Sequence, residues 1–526
     1  MNKANNKNNV NKNNVNKNNV NKNNVNKNNV NKNNVNKNNV NKANFSVDLE
    51  NRSILQVGCG GVGSSMPYLY VKHFKFRPNN ITIMDKDKDR LDALKKKFPT
   101  INFVNMEMSK NNFKSIVDKY LKKGDVFVDL AWYIGTNDLL ELCHDKGIHF
   151  TNTAIEQWFD SNDCNLKTAE CETLYRHQHY VRKMADKWGN KGATAVVGHG
   201  ANPGWISHAA KIGITDWVQH LSKKNSSDPT IKKAVAAIAS GKYNEAAKYL
   251  NIQVMHISER DTQITSTPKK VGEFLCTWSP TGLIEEGALP AEMGWGTHEN
   301  MKEYIKHFKS GPGNEVYMDT IAMNTTVKSY VPGSEVLGMV IPHEEANSLS
   351  YFLTVKRGGK TVYRPTVHYA YMLPDVAIAS LVEYQANGMP DVLKNERVIK
   401  DDIVSGSDTL GVLFMSPKYG KWWTGSDLDI ATSRKLIPHQ NATVVQVSPS
   451  VIAGIIYALQ NPNISPIFPE DMNSQYVMDK FIKPYLGKWL SQPVVWEPNT
   501  KGLPAKYKKE KNFVFQRFLV SPPVTI

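Results

Sequence analysis

Three glycines and an aspartate carry the first recognisable chemistry in this sequence. The stretch SILQVGCGGVGSSMPYLYVKHF places Gly58, Gly60 and Gly63 in a G-x-G-x-x-G spacing, directly after the apolar Ile54, Leu55 and Val57. Gly58 permits a tight turn, Gly60 lets a pyrophosphate approach the backbone between Gly60, Gly61 and Val62, and Gly63 lets a helix pack close to the strand. A second apolar run, NITIMD, ends on Asp85. A carboxylate there accepts from the ribose hydroxyls of adenosine and repels a 2′-phosphate, so the expected cofactor is NAD, a preference softened by Lys86, Lys88 and Arg90.

Further candidates lie downstream. Residues 276–300, CTWSPTGLIEEGALPAEMGWGTHEN, hold Glu285, Glu286, Glu292 and Glu299 with Trp278 and Trp295, and contain no Lys or Arg. An acidic, aromatic segment with so many small residues stands out in a chain of formal charge +16. Glu156 in NTAIEQW reads equally as a cation ligand or a helix cap, and Asn202 in GHGANPGW reads first as turn chemistry. Cys164, Cys171, His177 and His179 lack the tight pairing of zinc ligands, so no metal is expected.

The elements that must position these residues follow from periodicity. Further strands are expected at INFVN (101–105), DVFVDL (125–130), IHFTNT (148–153) and ATAVVGHG (193–200), with helical stretches between them. This predicts an α/β protein: a Rossmann-type doubly wound parallel sheet over residues 48–200, then an α+β substrate-binding and dimerisation domain over 201–526, whose last segment can pack back on the first. Ligands of such a sheet lie beyond the carboxyl ends of its strands, which puts DLAWYIG, Glu156 and Asn202 at the rim.

Composition narrows the setting. Residues 6–40 are seven copies of NKNNV, and the first 47 residues carry nine Lys and no acid, so the remaining chain is only mildly basic at +7. The repeat is expected to be disordered, because Asn and Lys bury too little apolar surface to offset chain entropy. It reads better as a neutral appendage than as a nucleic-acid arm, and KYKKEK near the C-terminus reads as a solvated face. The best apolar run, VVQVSPSVIAGIIYALQ, is interrupted by Ser and Pro, and no secretory segment is evident. Five scattered cysteines argue against a disulfide framework, and a cytoplasmic protein is expected.

Taken in order, GCGGVGSSMPYLYVKHFKF, NTAIEQW, GHGANPGW, ISERDTQ, TWSPTGLIEEGALPAEMGWGTHE and IPHEEANSLS resemble the bacterial-type homospermidine synthases, relatives of saccharopine dehydrogenases. The resemblance runs from about residue 50 to near the C-terminus and leaves the repeat outside. It implies that putrescine gives a hydride to NAD and releases ammonia, that a second putrescine condenses with the activated carbon, and that the hydride then returns, giving homospermidine. It also implies a homodimer. Carried over by motif, Trp278 stacks on the cationic intermediate, and Glu286, rather than the adjacent Glu285, holds a substrate nitrogen. Glu259 and Glu156 are further carboxylates on the amine path, His343 moves or orients a proton, and Asn202 touches the nicotinamide end. His298 stays unassigned.

The residues agree with such a substrate. A diamine is doubly cationic near neutral pH and wants desolvated carboxylates and aromatic faces, with no Lys or Arg nearby. Each assignment has a plainer alternative: Trp278 as a core aromatic, Glu259 in a surface ion-pair network with Arg260 and Asp261, His343 as a core histidine. A saccharopine-dehydrogenase-like or carboxylated-polyamine-forming oxidoreductase with net NAD(P) turnover is the competing activity, and its carboxylated substrates call for a basic residue that 276–300 lacks.

Overall fold

The computed structural model describes residues 47–158, 170, 173–309, 311–390, 393–498 and 513–520. The NKNNV repeat, Cys164, Cys171 and KYKKEK lie outside the described residues.

Short Ile/Val-rich runs form strands when both faces can be covered, and the six predicted runs do so. Strands β1 (Ile54–Val57), β2 (Ile81–Asp85), β3 (Asn102–Asn105), β4 (Val126–Asp129), β5 (His149–Asn152) and β6 (Ala195–Val196) make one parallel sheet in the order β3-β2-β1-β4-β5-β6. The order reverses at β1/β4, the crevice where such sheets take a dinucleotide. Helix α1 (Met66–His73) follows the glycine loop and buries Met66, Leu69 and Tyr70.

The second half of the chain is built on a ten-stranded sheet, largely antiparallel. Its middle is β7 (Val254–Asp261), with β9 (Thr366–Met372) parallel on one side and β10 (Ser407–Ser416) antiparallel on the other. Strand β8 (Pro290–Gly294) joins beyond β9, while β11 (Gly420–Asp429) and β12 (Lys488–Val494) continue beyond β10. Helices α2 (Leu174–Trp188), α3 (Trp205–Lys224), α4 (Pro280–Ala288), α5 (Glu344–Phe352) and α6 (Ala442–Gln460) complete the frame around the site.

Helix α6 contains the apolar run VVQVSPSVIAGIIYALQ. The Ser and Pro do not interrupt it: Pro449 sits inside a continuous, mostly buried helix. Among the described residues it is the one helix long and apolar enough to cross a membrane, and here it is a core element. It lies against the first sheet, with Ser448 Oγ 2.6 Å from Ser65 Oγ and the Ser450 carbonyl 2.7 Å from His199 Nδ1.

The segment 276–300 is also more regular than its composition suggests. Most of its small residues are not turns: Ser279 caps α4 by accepting from the Gly282 N–H at 3.1 Å, the chain passes directly into β8, and only Gly296 opens a turn, accepting from the Glu299 N–H at 3.2 Å. Gly282 is needed because a Cβ there would enter the Trp132 ring.

Candidate active site

The glycine loop has the geometry a dinucleotide requires. Gly58 has φ +96°, and a Cβ on it would meet the Leu130 carbonyl at the end of β4. A Cβ on Gly63 would strike the Gly58 carbonyl, whereas one on Gly60 would meet open space, the room a pyrophosphate needs. Ser64 Oγ donates to the Gly61 carbonyl at 2.9 Å and Ser65 Oγ to the Val62 carbonyl at 2.6 Å, which fixes the loop. At the end of β2, Asp85 accepts from the Cys59 N–H at 2.5 Å and the Asp87 N–H at 2.8 Å. Lys86 and Lys88 are engaged by Glu107 and Asp92, each at 3.0 Å, while Arg90 reaches back to the Cys59 carbonyl at 3.2 Å.

The substrate candidates converge beyond the carboxyl ends of β4, β5 and β6. Strand alternation decides which β7 side chains take part. Glu259 is buried on the site face, where Tyr369 Oη donates to it and Asn202 Nδ2 donates at 3.1 Å. Arg260 points the other way, to Asp375 at 3.2 Å. Glu259 therefore packs with Tyr369 and Asn202 and not in a surface network. Asn202 lies in a turn, as its sequence reads, and its side chain is engaged by Glu259.

On β9, Tyr369 and Tyr371 stack with ring centroids 5.2 Å apart. Trp278 Nε1 donates to Tyr371 Oη at 3.1 Å, and its indole faces Trp132 at 6.5 Å. The His343 ring lies 4.2 Å from that of Tyr369, at the N-cap of α5. Its Nδ1 is 3.2 Å from Glu345 Oε2, and its Nε2 is 3.5 Å from Glu286 Oε2. Glu286, and not Glu285, thus makes the contact with His343.

Glu156 sits in a loop tied to the start of the helix Thr136–Lys146: its carbonyl accepts from the Thr136 N–H at 3.0 Å and its N–H donates to Thr136 Oγ1 at 2.9 Å, so its backbone caps that helix while its carboxyl feels Asp129, Glu286 and Glu344. The group is continuous: Trp278, Tyr371, Tyr369, Glu259 and Asn202 on one side, and His343, Glu286 and Glu156 on the other.

Burial sets the electrostatics. Taking a carboxylate out of water disfavours its charged form. Burial pushes Glu259 up to about 7, Glu344 and Asp129 up to about 8, and Glu156 well above the usual carboxylate range. Glu285 rises to about 7 through burial and the adjacent Glu286. Burial pulls His343 down, but Glu345 and Glu286 outweigh it and hold the imidazole well above its ordinary value. No Lys or Arg is among the charges acting most on Glu156, Glu259, Glu344 or His343. A cation brought by a ligand is what this cluster lacks.

Several residues of the cluster had not been singled out from the sequence. Asp408 on β10 lies opposite Asp261 in register, hydrogen-bonds to Glu259 and is pushed far up by burial and these two neighbours. Nothing in SGSDTL marks it. Glu344 accepts from the Ile155 N–H at 2.5 Å, and Glu345 partners His343; both stood in the quoted IPHEEANSLS. Tyr369 and Tyr371 alternate in VHYAYM, a pattern that puts both on one face without saying which.

Other candidates fall elsewhere. Glu292 and Glu299 are not solvated: Glu292 is buried at the start of α2, accepting from the Leu174 and Tyr175 N–H groups at 3.0 and 2.7 Å. Glu299 accepts from Thr366 Oγ1 at 2.5 Å and the Phe515 N–H at 3.1 Å, which anchors the C-terminal segment. His298 binds the Phe513 carbonyl at 2.8 Å in the same anchor. His177 is buried on α2 against Gln157 at 2.8 Å, and the described residues contain no group of ligands fit for a metal.

Fold and site together define a dinucleotide-binding α/β protein with a cluster of buried carboxyls beyond the strand ends of its first sheet. Residues 54–196 match the saccharopine dehydrogenase NADP binding domain, and residues 200–491 the saccharopine dehydrogenase C-terminal domain. Homospermidine synthase of Mesorhizobium japonicum is 34% identical over 457 residues, spanning 85% of this chain and 91% of the relative. That of Blastochloris viridis is 31% identical over 453 residues, 85% and 92% respectively. The crystal structure of homospermidine synthase from Legionella pneumophila in complex with NAD superposes with a TM-score of 0.78 at 33% identity, covering 90% of this chain and 99% of that one. The chain belongs to the saccharopine dehydrogenase family, and within it to the homospermidine synthases.

Proposed function

We propose that the chain joins two putrescines into homospermidine with release of ammonia, and that NAD ends each cycle as it began. The observation that carries this reading is the buried carboxyl cluster around Trp278, Tyr369 and His343, whose strongest neighbours include no Lys or Arg. Burying so many carboxyls is unfavourable unless a cation joins them, and a diamine brings one at each end. NAD, for which the glycine loop and Asp85 fit, supplies a hydride acceptor and donor beside the substrate carbon that bears nitrogen.

The chain's own residues do the rest. Trp278 offers a π face to the cationic intermediate, a contact worth about 0.5–2 kcal/mol, and its hydrogen bond to Tyr371 fixes the ring. Glu286 holds a substrate nitrogen beside it, in contact with His343. Glu259, supported by Asn202 and Tyr369, receives another ammonium group, and Glu156 lies further along the amine path. The attacking amine must lose a proton before it adds, and His343, between Glu286 and Glu345, orients that amine and relays its proton to the neighbouring carboxyls. A nucleotide-binding part up to about residue 200, a homodimer and a cytoplasmic location complete the proposal, the dimer on family resemblance and the location on the scattered cysteines.

The test is turnover with putrescine and sub-stoichiometric NAD. Many equivalents of homospermidine and ammonia per NAD, without NADH accumulation, are expected. NADH building up in step with substrate consumption would replace this reading with that of a net oxidoreductase.

A further inference from the structure

Lysine 400 is in an unusual place. It follows the strand Asn395–Val398 by two residues, just as Trp278 follows the parallel-paired strand Glu273–Cys276 by two. Its side chain leaves the second half of the chain and reaches the glycine loop, with Nζ 3.3 Å from Ser64 Oγ. Gln440 Nε2 meets the same hydroxyl at 3.3 Å, and Val444 packs on Gly61.

The loop that carries Lys400 is firmly tied. Arg434 donates to the carbonyls of Lys400, Asp401 and Ile403 at 2.9, 3.1 and 2.7 Å. Asp402 accepts from the Lys400 N–H at 3.0 Å. Asn441 Nδ2 bridges the carbonyls of Ile399 and Thr277 at 2.8 and 2.6 Å, joining this loop to the residue before Trp278.

So rigid a mount holds a cation in an unfavourable setting. Burial and the nearby Arg90 guanidinium both depress the Lys400 ammonium. Among the described residues, no carboxylate oxygen lies within ion-pairing distance of its Nζ. The acids of the loop are engaged: Asp85 by two backbone N–H groups, and Asp87 by Arg90 at 3.1 Å. A half-buried cation with no carboxylate in ion-pairing reach is unfavourable unless a ligand supplies the anion, and the ligand of this loop carries a diphosphate.

We propose that Lys400 is a ligand of the NAD diphosphate, delivered to the glycine loop by the second half of the chain. The proposal rests on the dinucleotide reading of that loop. It makes one short stretch of chain responsible for both ends of the site, because Asn441 links the lysine's loop to the Trp278 strand.

The test is equilibrium binding to the full-length protein, by calorimetry, of NAD, NADP and adenosine to wild type, Lys400→Met, Lys400→Gln and Lys400→Arg. A charge-assisted contact predicts that Met and Gln weaken NAD roughly tenfold to a hundredfold, leave adenosine unchanged and flatten the salt dependence of NAD binding. Arg should retain most of the affinity. Without NAD, the Met variant should melt no lower than wild type, since it loses a half-buried cation with no carboxylate in ion-pairing reach. Unchanged NAD affinity in Met and Gln, equal losses for NAD and adenosine, or a loss confined to NADP would each overturn the proposal. Wild type that fails to bind NAD would instead overturn the cofactor reading beneath it.

Discussion

His343 Nε2 stands 3.5 Å from Glu286 Oε2, while Nδ1 of the same ring stands 3.2 Å from Glu345 Oε2. One imidazole thus sits between two carboxyls, and both raise its proton affinity against the pull of burial. Glu286→Gln keeps the shape of the side chain and removes one of these charges. Turnover should fall on the order of 10²-fold or more, as for a displaced acid–base partner, with NAD affinity unchanged. In the variant, NMR of the His343 ring should show its titration moved downward.

The pH dependence of diamine binding follows from the raised carboxyls. Glu259 at about 7 and Glu344 at about 8 are largely protonated in the free enzyme at pH 6, and a cation binds their ionised forms. Putrescine affinity should therefore rise from pH 6 to pH 8.5, and binding near pH 7 should release protons. Calorimetry in buffers of different ionisation enthalpy measures that release directly.

Stability runs the other way in the free enzyme. A carboxyl raised above its unfolded value holds its proton in the native state while the unfolded chain has lost it, so its contribution is present below the unfolded value and lost as pH rises through the folded one. For Glu259, Glu344 and Asp129 that window runs from about 4 to about 8. The melting temperature of the free enzyme should drop across it, and saturating putrescine should flatten the drop.

Tyr369 donates to Glu259 and holds its carboxyl lower than burial alone would. Tyr369→Phe removes about 1–2 kcal/mol of charge-assisted bonding. It should shift the acidic limb of the kcat/KM profile upward by on the order of one pH unit, a change that a packing defect alone would not produce.

Glu292 is the control from the same segment. Its carboxylate accepts from two backbone N–H groups at the start of α2, outside the catalytic group. Glu292→Ala should destabilise the fold by on the order of 3 kcal/mol, read as a lower urea midpoint at unchanged slope, while NAD affinity at low temperature persists.

The nucleotide half was legible because its signals are local. Each strand is a short run built around apolar residues between turn signals, and the glycines and Asp85 sit at fixed offsets from strand ends. The candidate substrate site was drawn only from motifs. Glu259, Glu286 and His343 come from a strand, a helix and a helix cap far apart in the chain, and no spacing says that they meet. Asp408 escaped for that reason: it reaches Glu259 only through the antiparallel register of β10 on β7. Composition cannot tell a carboxylate buried on backbone N–H groups, as those of Glu292 and Glu299 are, from one in water. The run around Pro449 looked broken because a proline inside a helix is disfavoured locally, and packing against two sheets overrides that preference.

The central claim is that the hydride removed from one putrescine comes back to the same carbon. Putrescine deuterated at both carbons next to nitrogen tests it, with NAD present to accept the hydride and unlabelled NADH in excess of it. If the hydride is returned within one site, mass spectrometry will find homospermidine retaining every deuterium. Homospermidine that has exchanged one deuterium for hydrogen from the NADH pool would contradict the account.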